Sequence, residues 1–231
     1  MPYTYEYPRP VVTADAAVFA LRGGSLRVCL VRRGREPFAG RWVMPGGFVG
    51  IAERAAAGAR RELMEETGLE AARLAFLRPY DDPERDPRGR IISLAFFGVA
   101  GPGARPRAGD DAAEAVWAEA HEPPPLAFDH ALMLRDALES LRRAGRFSAM
   151  LFGMLDSPFT LAQAREAYAA VYPGGVNAAA FTERLLASGV LRPAPDAPEG
   201  PPRGGALYEL SPDADAALEM ADRPLFTPKP A

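Results

Sequence analysis

Three glutamates, Glu62, Glu65 and Glu66, stand in the run RRELMEE. On a helix, side chains three and four residues apart are neighbours, so the three carboxylates project from one side. Like charges this close repel and cost stability unless cations compensate. Hard divalent ions such as Mg²⁺ take oxygen ligands while keeping waters and substrate phosphates in their shell. A diphosphate bridged to such ions is polarised, and a metal-bound water becomes a nucleophile near neutral pH. The chemistry implied is metal-assisted hydrolysis of a phosphoanhydride. Taken alone, RRELMEE also reads as a solvated acidic face with Arg60 and Arg61 as counterions.

The elements around the glutamates decide between these readings. Pro45, Gly46 and Gly47 break a preceding strand, and from about Arg54 the run RAAAGARRELMEE is rich in helix formers. Ala55, Ala59 and Leu63, at i, i+4 and i+8, form its apolar stripe. Gly68 ends the helix, where a left-handed residue carries no Cβ penalty only as glycine. Gly58 in the helix interior costs about 1 kcal/mol relative to alanine, which marks a close-packing position.

Residues 47–69, GFVGIAERAAAGARRELMEETGL, fit the pattern G-x5-E-x7-R-E-U-x-E-E-x-G-U, with U aliphatic, at every defined position. At roughly 7% per fixed position, a chance match in a chain of this length is on the order of one in a million, so the solvated-face reading gives way. The segment resembles the Nudix box. That resemblance implies an α/β/α sandwich with a mixed sheet and a loop-helix-loop site. It implies metal coordination by Glu65 and Glu66, with Glu62 as a further ligand and a backbone carbonyl from Gly46 or Gly47. Glu53 and Arg61 are implied to form the ion pair that ties loop to helix. The implied cofactor is Mg²⁺, with Mn²⁺ as the alternative. Gly50 and Gly58 replace an acid and an alanine common in the family, and neither change removes a ligand.

Hydrophobic residues make up 48% and charged residues 25% of the 231 residues, the composition of an ordinary soluble protein with one or two domains. The start, MPYTYEYPRP, lacks the pattern of an export signal, and no stretch of about 18 apolar residues occurs. No membrane partner is expected, and the cytoplasm is the expected compartment. The single Cys29 excludes an internal disulfide. A net charge of −3 provides no global field for nucleic acid.

Two parts are expected, residues 1–145 and 146–231. In the first, VVTADAAVFAL and LRVCLVRR read as strands joined by the hairpin signal Arg22-Gly23-Gly24-Ser25. IISLAFFGVA and AVWAEA read as later strands, and a helix is expected from Asp129, its N-cap, through Arg143. In the second, Phe159 to Val171 and Ala178 to Ser188 read as helices capped by Thr160 and Asn177, with GALYELS as a strand. Helices followed by a hairpin suggest a winged-helix-like domain. Its basic supply is poor, with seven Lys or Arg against ten Asp or Glu over residues 145–231. DNA contact normally needs several cations against phosphates; Arg142, Arg143 and Arg146 form the one cluster, at the junction.

Beyond the box, YPRPVVTADAAVF, EPFAGRWVMPGGFV, DPRGRIIS and LAFDHALML resemble the two-domain group of ADP-ribose pyrophosphatases and Nudix-related transcriptional regulators of NAD metabolism. The resemblance covers the first 145 residues well and the rest loosely. It implies a nucleotide substrate, most simply ADP-ribose cleaved to AMP and ribose 5-phosphate, and a homodimer to which the strand Tyr3 to Tyr7 contributes. An ADP-ribose-responsive repressor is the alternative. Arg88 and Arg90 are candidates for the terminal phosphate or ribose, by bidentate contact, against a bland reading as an exposed turn. His130 is a candidate for the pocket or for a structural role at the helix end. Glu84, Glu114 and Glu119 are candidates for the general base. Phe38, Trp42 and Tyr80 flank the expected pocket, with core packing the simpler role for each.

Overall fold

The computed structural model describes residues 6–109, 112–195 and 205–215; the expected strand from Tyr3 lies largely outside them. The strand β1 (Val11–Arg22) is the spine of the larger sheet, buried on both faces over most of its length. It runs parallel to β6 (Ile91–Val99), which pairs antiparallel with β5 (Arg73–Tyr80). Its other edge is shared. The second half of β1 pairs with β2 (Ser25–Arg33) through a hairpin whose two loop glycines, Gly23 and Gly24, both have positive φ, as a tight primed turn requires. The first half pairs with the short β4 (Gly46–Phe48), Asp15 opposite Gly46. β2 goes on to pair with β3 (Trp42–Val43) and β7 (Ala112–Glu119).

Alternation along β1 sends successive side chains to opposite faces. Ala16 and Val18 meet Leu63 of α1 (Ala55–Thr67), while Ala17 and Phe19 join Met133, Leu134, Ala137 and Leu141 of α2 (His130–Phe147). The result is the helix, mixed sheet, helix sandwich expected from the sequence. α1 starts after Arg54 and ends at Gly68, whose φ of 65° is left-handed as anticipated. Gly58 packs closely: a Cβ there would sit 3.1 Å from Glu53 Oε2. Cys29 is buried, which pushes its thiol up to about 12.

α2 runs on to Phe147, past the expected end at Arg143. Gly145 is a close-packing site inside it rather than a break, since a Cβ would meet Leu151 Cδ1 at 2.6 Å and the Tyr172 hydroxyl at 2.9 Å. After a 3₁₀ turn at Met150–Met154 come β8 (Phe159–Thr160), α3 (Leu161–Val171), α4 (Ala178–Ala187), β9 (Leu191–Pro193) and β10 (Leu207–Leu210). β8, β10 and β9 form a small antiparallel sheet in that order. α3 begins two residues later than expected because Phe159 and Thr160 pair with β10. Thr160 and Asn177 cap their helices, Thr160 in a reciprocal box with Gln163. Phe181 and Leu185 of α4 are buried in the same continuous core as α2. Arg142 Nε donates to the Val171 carbonyl (3.2 Å), and Asp215 accepts from the Ala149 N–H (3.0 Å), so the C-terminal elements are fastened to the sandwich. Among the described residues no helix is long and apolar enough to cross a membrane.

Candidate functional site

Where β2 and β4 part along the edge of β1, a cleft of about 400 Å³ opens, lined on one side by Glu62, Glu65 and Glu66. Helical spacing brings these acids together, and Gly46 and Gly47, which open β4 rather than break a strand as the sequence suggested, let that strand approach them. A Cβ on Gly46 would sit 2.3 Å from Asp15 Oδ1 and 2.7 Å from the Ala14 carbonyl; one on Gly47 would sit 2.5 Å from the Glu62 carboxyl carbon. The Gly46 N–H donates to Glu66 Oε2 at 3.0 Å. Desolvation, reinforced by the negative charges of Glu62 and Asp15, pushes the Glu66 carboxyl up to about 7.

Arg61 organises the loop. It donates to Glu53 Oε1 (2.9 Å) and Oε2 (3.0 Å), Glu62 Oε1 (2.7 Å), Glu65 Oε2 (2.9 Å) and the Phe48 carbonyl (2.9 Å). Glu53 also accepts from the Gly50 N–H at 3.0 Å, and with Arg61 this holds its carboxyl down to about 2. The donor set suits a hard divalent cation: it is all oxygen and carries mutually repelling carboxylates. The Glu62 carboxylate sits in a cradle at Gly47 that a Cβ would fill. Among the described residues no three acidic, histidine or cysteine side chains converge on one metal position. Arg61 engages both Glu62 and Glu65, so a bound cation would compete with it for those oxygens.

A buried polar network lies at the back of the cleft. Asp15 accepts from Ser93 Oγ and, at 3.4 Å, from Thr13 Oγ1. His130 is buried, and its Nδ1 accepts the Met44 N–H at 3.0 Å, which leaves the proton of a neutral ring on Nε2, 3.9 Å from Asp15 Oδ1. Desolvation lowers the His130 pKa and favours that neutral form. The ring thereby ties the start of α2 to the link between β3 and β4.

The opposite wall is aromatic and cationic. Arg88 closes its fork on the buried Asp86 (2.9 and 2.6 Å) and lies 5.5 Å from the Phe48 ring centre and 5.7 Å from that of Phe128. Burial disfavours the Asp86 carboxylate, but the Arg88 bonds outweigh it and its pKa is lowered. Arg33 lies 4.9 Å from the Phe128 centre. Phe128 and Phe38, in edge contact at 4.7 Å, both have positive φ (52° and 64°), costly for non-glycine residues.

Of the residues singled out from the sequence, Glu62, Glu65, Glu66, Gly46, Arg88 and His130 line this cleft, and Glu53 and Arg61 brace it. Arg90 does not line it: it donates to the Asp81 carbonyl on the exposed side. Asp129 occupies the N-cap position without capping, because its carboxylate is taken by the buried Arg85 (2.9 and 2.8 Å). Glu84 borders a neighbouring cavity, Glu114 faces Arg32 and Glu119 pairs with Arg27; none of the three lines the cleft. Tyr80 is core, its hydroxyl donating to Asp136, and Trp42 packs against the core and Arg32. Asp15, Arg33, Asp86 and Phe128 were missed. Asp15 carried a signal, a charge within the apolar strand VVTADAAVFAL; Arg33 sat unremarked in an arginine pair.

The comparisons with known proteins cover both parts of the chain. It is 27% identical over 210 residues, 89% of its length and 84% of the relative's, to the ADPR responsive transcriptional repressor NtrR of Acinetobacter baylyi. It is 37% identical over 130 residues, 56% of its length and 74% of the relative's, to an ADP-ribose pyrophosphatase of Methanocaldococcus jannaschii. The structure of Shewanella oneidensis NrtR complexed with a 27mer DNA superposes with a TM-score of 0.76 at 25% identity, over 89% of this chain and 95% of that one. Residues 12–137 match the model of the NUDIX domain, which spans the sheet, the acidic helix and the first turns of α2, and the chain belongs to the Nudix family.

Proposed function

We propose that the protein is a Mg²⁺-dependent pyrophosphohydrolase, with Mn²⁺ as the alternative metal, that cleaves ADP-ribose to AMP and ribose 5-phosphate. The observation that carries this reading is the intact acid set on one face of α1, opening into a cleft whose far wall holds Arg88. The resident metal would polarise the diphosphate and lower the pKa of water. Glu62, Glu65 and Glu66 would hold it, with the Gly46 carbonyl. Glu53 and Arg61 fasten the loop to α1 and so fix the distance between β4 and the acids. Arg88, oriented by Asp86 and by the rings of Phe48 and Phe128, would take a phosphate oxygen. His130 would position β4 through Met44 rather than touch substrate. Overall, water adds to one phosphorus, the P–O–P bridge breaks, and its oxygen leaves on the other phosphate. The test is AMP release from ADP-ribose in Mg²⁺ by wild type and by a Glu65→Gln/Glu66→Gln variant. Turnover lost in the variant is expected; tight ADP-ribose binding without wild-type turnover would refute the hydrolase reading.

We propose further that the described residues of the 146–231 part form a winged-helix-like domain, with α4 in the recognition position, in a cytoplasmic homodimer. A second reading, an ADP-ribose-responsive repressor, is favoured by the likeness to NtrR across both parts of the chain. Against it, α4 exposes alanines and Glu183 beside Arg184, a poor supply of phosphate contacts. Failure to shift its own promoter DNA at low salt would remove the repressor reading; a shift reversed by ADP-ribose would establish it.

A further inference from the structure

Arg33 closes β2, and its backbone is engaged in both directions: its N–H donates to the Arg41 carbonyl (3.0 Å) and its carbonyl accepts from the Gly40 N–H (2.8 Å). Its Nε donates to the Pro37 carbonyl at 2.7 Å. These bonds and the Phe128 ring hold the guanidinium at the cleft wall, while its two terminal nitrogens make no hydrogen bond or ion pair among the described residues. Arg88 reaches the same ring and spends Nε and Nη2 on Asp86, so its Nη1 is likewise not committed. Two guanidiniums therefore share one aromatic platform in a partly desolvated cleft; Asp86 closes the fork of Arg88, while the charges of Asp86, Glu66 and Glu36 reach Arg33. Desolvation, and then the charge of Arg88, lowers the Arg33 pKa against those opposing charges, whereas the bonds to Asp86 raise that of Arg88. Across the cleft the α1 acids repel anions in the absence of metal.

From this arrangement we infer that Arg33 and Arg88, mounted on Phe128, form a subsite for one phosphate of a nucleoside diphosphate derivative, and that it binds that phosphate without metal. The inference rests on the ADP-ribose reading of the same cleft and adds Arg33, where the sequence pointed to Arg90. The guanidinium fork matches phosphate oxygens, and a dianionic group between the two cations removes their repulsion. Arg33 then sets substrate affinity, whereas the acids on α1 set turnover.

The test is calorimetric binding of ADP-ribose and of inorganic pyrophosphate in EDTA, to wild type, Arg33→Gln, Arg33→Lys and, as a control in the neighbouring cavity, Arg41→Gln. Arg33→Gln is expected to weaken both ligands about tenfold or more, equivalent to about 1.4 kcal/mol, Arg33→Lys less, and Arg41→Gln not at all. Unchanged affinity in Arg33→Gln overturns the inference. So does an equal loss in Arg33→Gln and Arg33→Lys with a lowered Tm, which makes Arg33 only a clamp on the 33–41 loop. Wild type that binds neither ligand in EDTA also overturns it, while Mg²⁺-dependent AMP release by the same sample leaves the hydrolase reading intact. Arg33-dependent binding without AMP release does the reverse.

Discussion

Adjacent glycines at the start of β4 are predicted to fail in different ways when given a methyl group. In Gly46→Ala the new Cβ meets Asp15 Oδ1 at 2.3 Å and backbone atoms of Ala14 and Asp15 at 2.7 Å. Backbone cannot swing aside, so β4 must lift from β1, at an overpacking cost of about 1–3 kcal/mol. For a chain of this size that is a Tm lower by roughly 2–10 °C. Because β4 moves relative to α1, the rate of ADP-ribose cleavage should fall about 100-fold, the scale of a misplacement near 1 Å. In Gly47→Ala the three nearest atoms all belong to the Glu62 carboxylate, at 2.5 to 2.6 Å, the far end of a flexible side chain. That carboxylate can rotate away, so Tm should change by less than about 2 °C, within the range of a mild substitution. The Mg²⁺ concentration for half-maximal activity should instead rise about tenfold or more, as for a disturbed metal ligand. Thermal unfolding in EDTA, paired with Mg²⁺ titration of AMP release, separates the two. Equal Tm losses in both variants, or an unchanged metal requirement in Gly47→Ala, would refute the reasoning.

Three further outcomes are expected. With the Glu66 carboxyl at about 7 in the folded protein and near 4.3 when unfolded, the folded state keeps its proton longer. Stability from this group is therefore lost as pH rises between those values, so in EDTA Glu66→Gln should stabilise at pH 8 by on the order of 3–4 kcal/mol and have no effect near pH 4, as read by urea unfolding. Asp129→Asn strands the buried Arg85 charge and should cost about 3–5 kcal/mol; a loss below about 1 kcal/mol would show that water or another group compensates. Phe181→Ala, which hollows the contact with Tyr168, should cost about 3–5 kcal/mol in unfolding of the C-terminal part while AMP release at low temperature persists.

What could be read from the sequence was local. The span of α1, its glycine stop, the shared face of Glu62, Glu65 and Glu66, and the capping of α3 and α4 depend on spacings of three or four residues and on side chains bonding their own backbone. The order of the longer strands and helices followed from periodicity, except for β5, which the sequence did not announce. The rest of the cleft depends on pairings between distant segments. β1 lies parallel to β6, which puts Ser93 on Asp15; α2 returns to the sheet so that His130 meets Met44; and the loop before β6 turns Arg88 inward and Arg90 outward. Near-identical arginines in DPRGR are indistinguishable until the turn assigns each a side. Arg33 joins them only because Phe128, almost a hundred residues later, supplies the ring on which both rest. Helical spacing is a property of one segment, whereas a cleft wall is a property of several, and only the packed sheet brings those together.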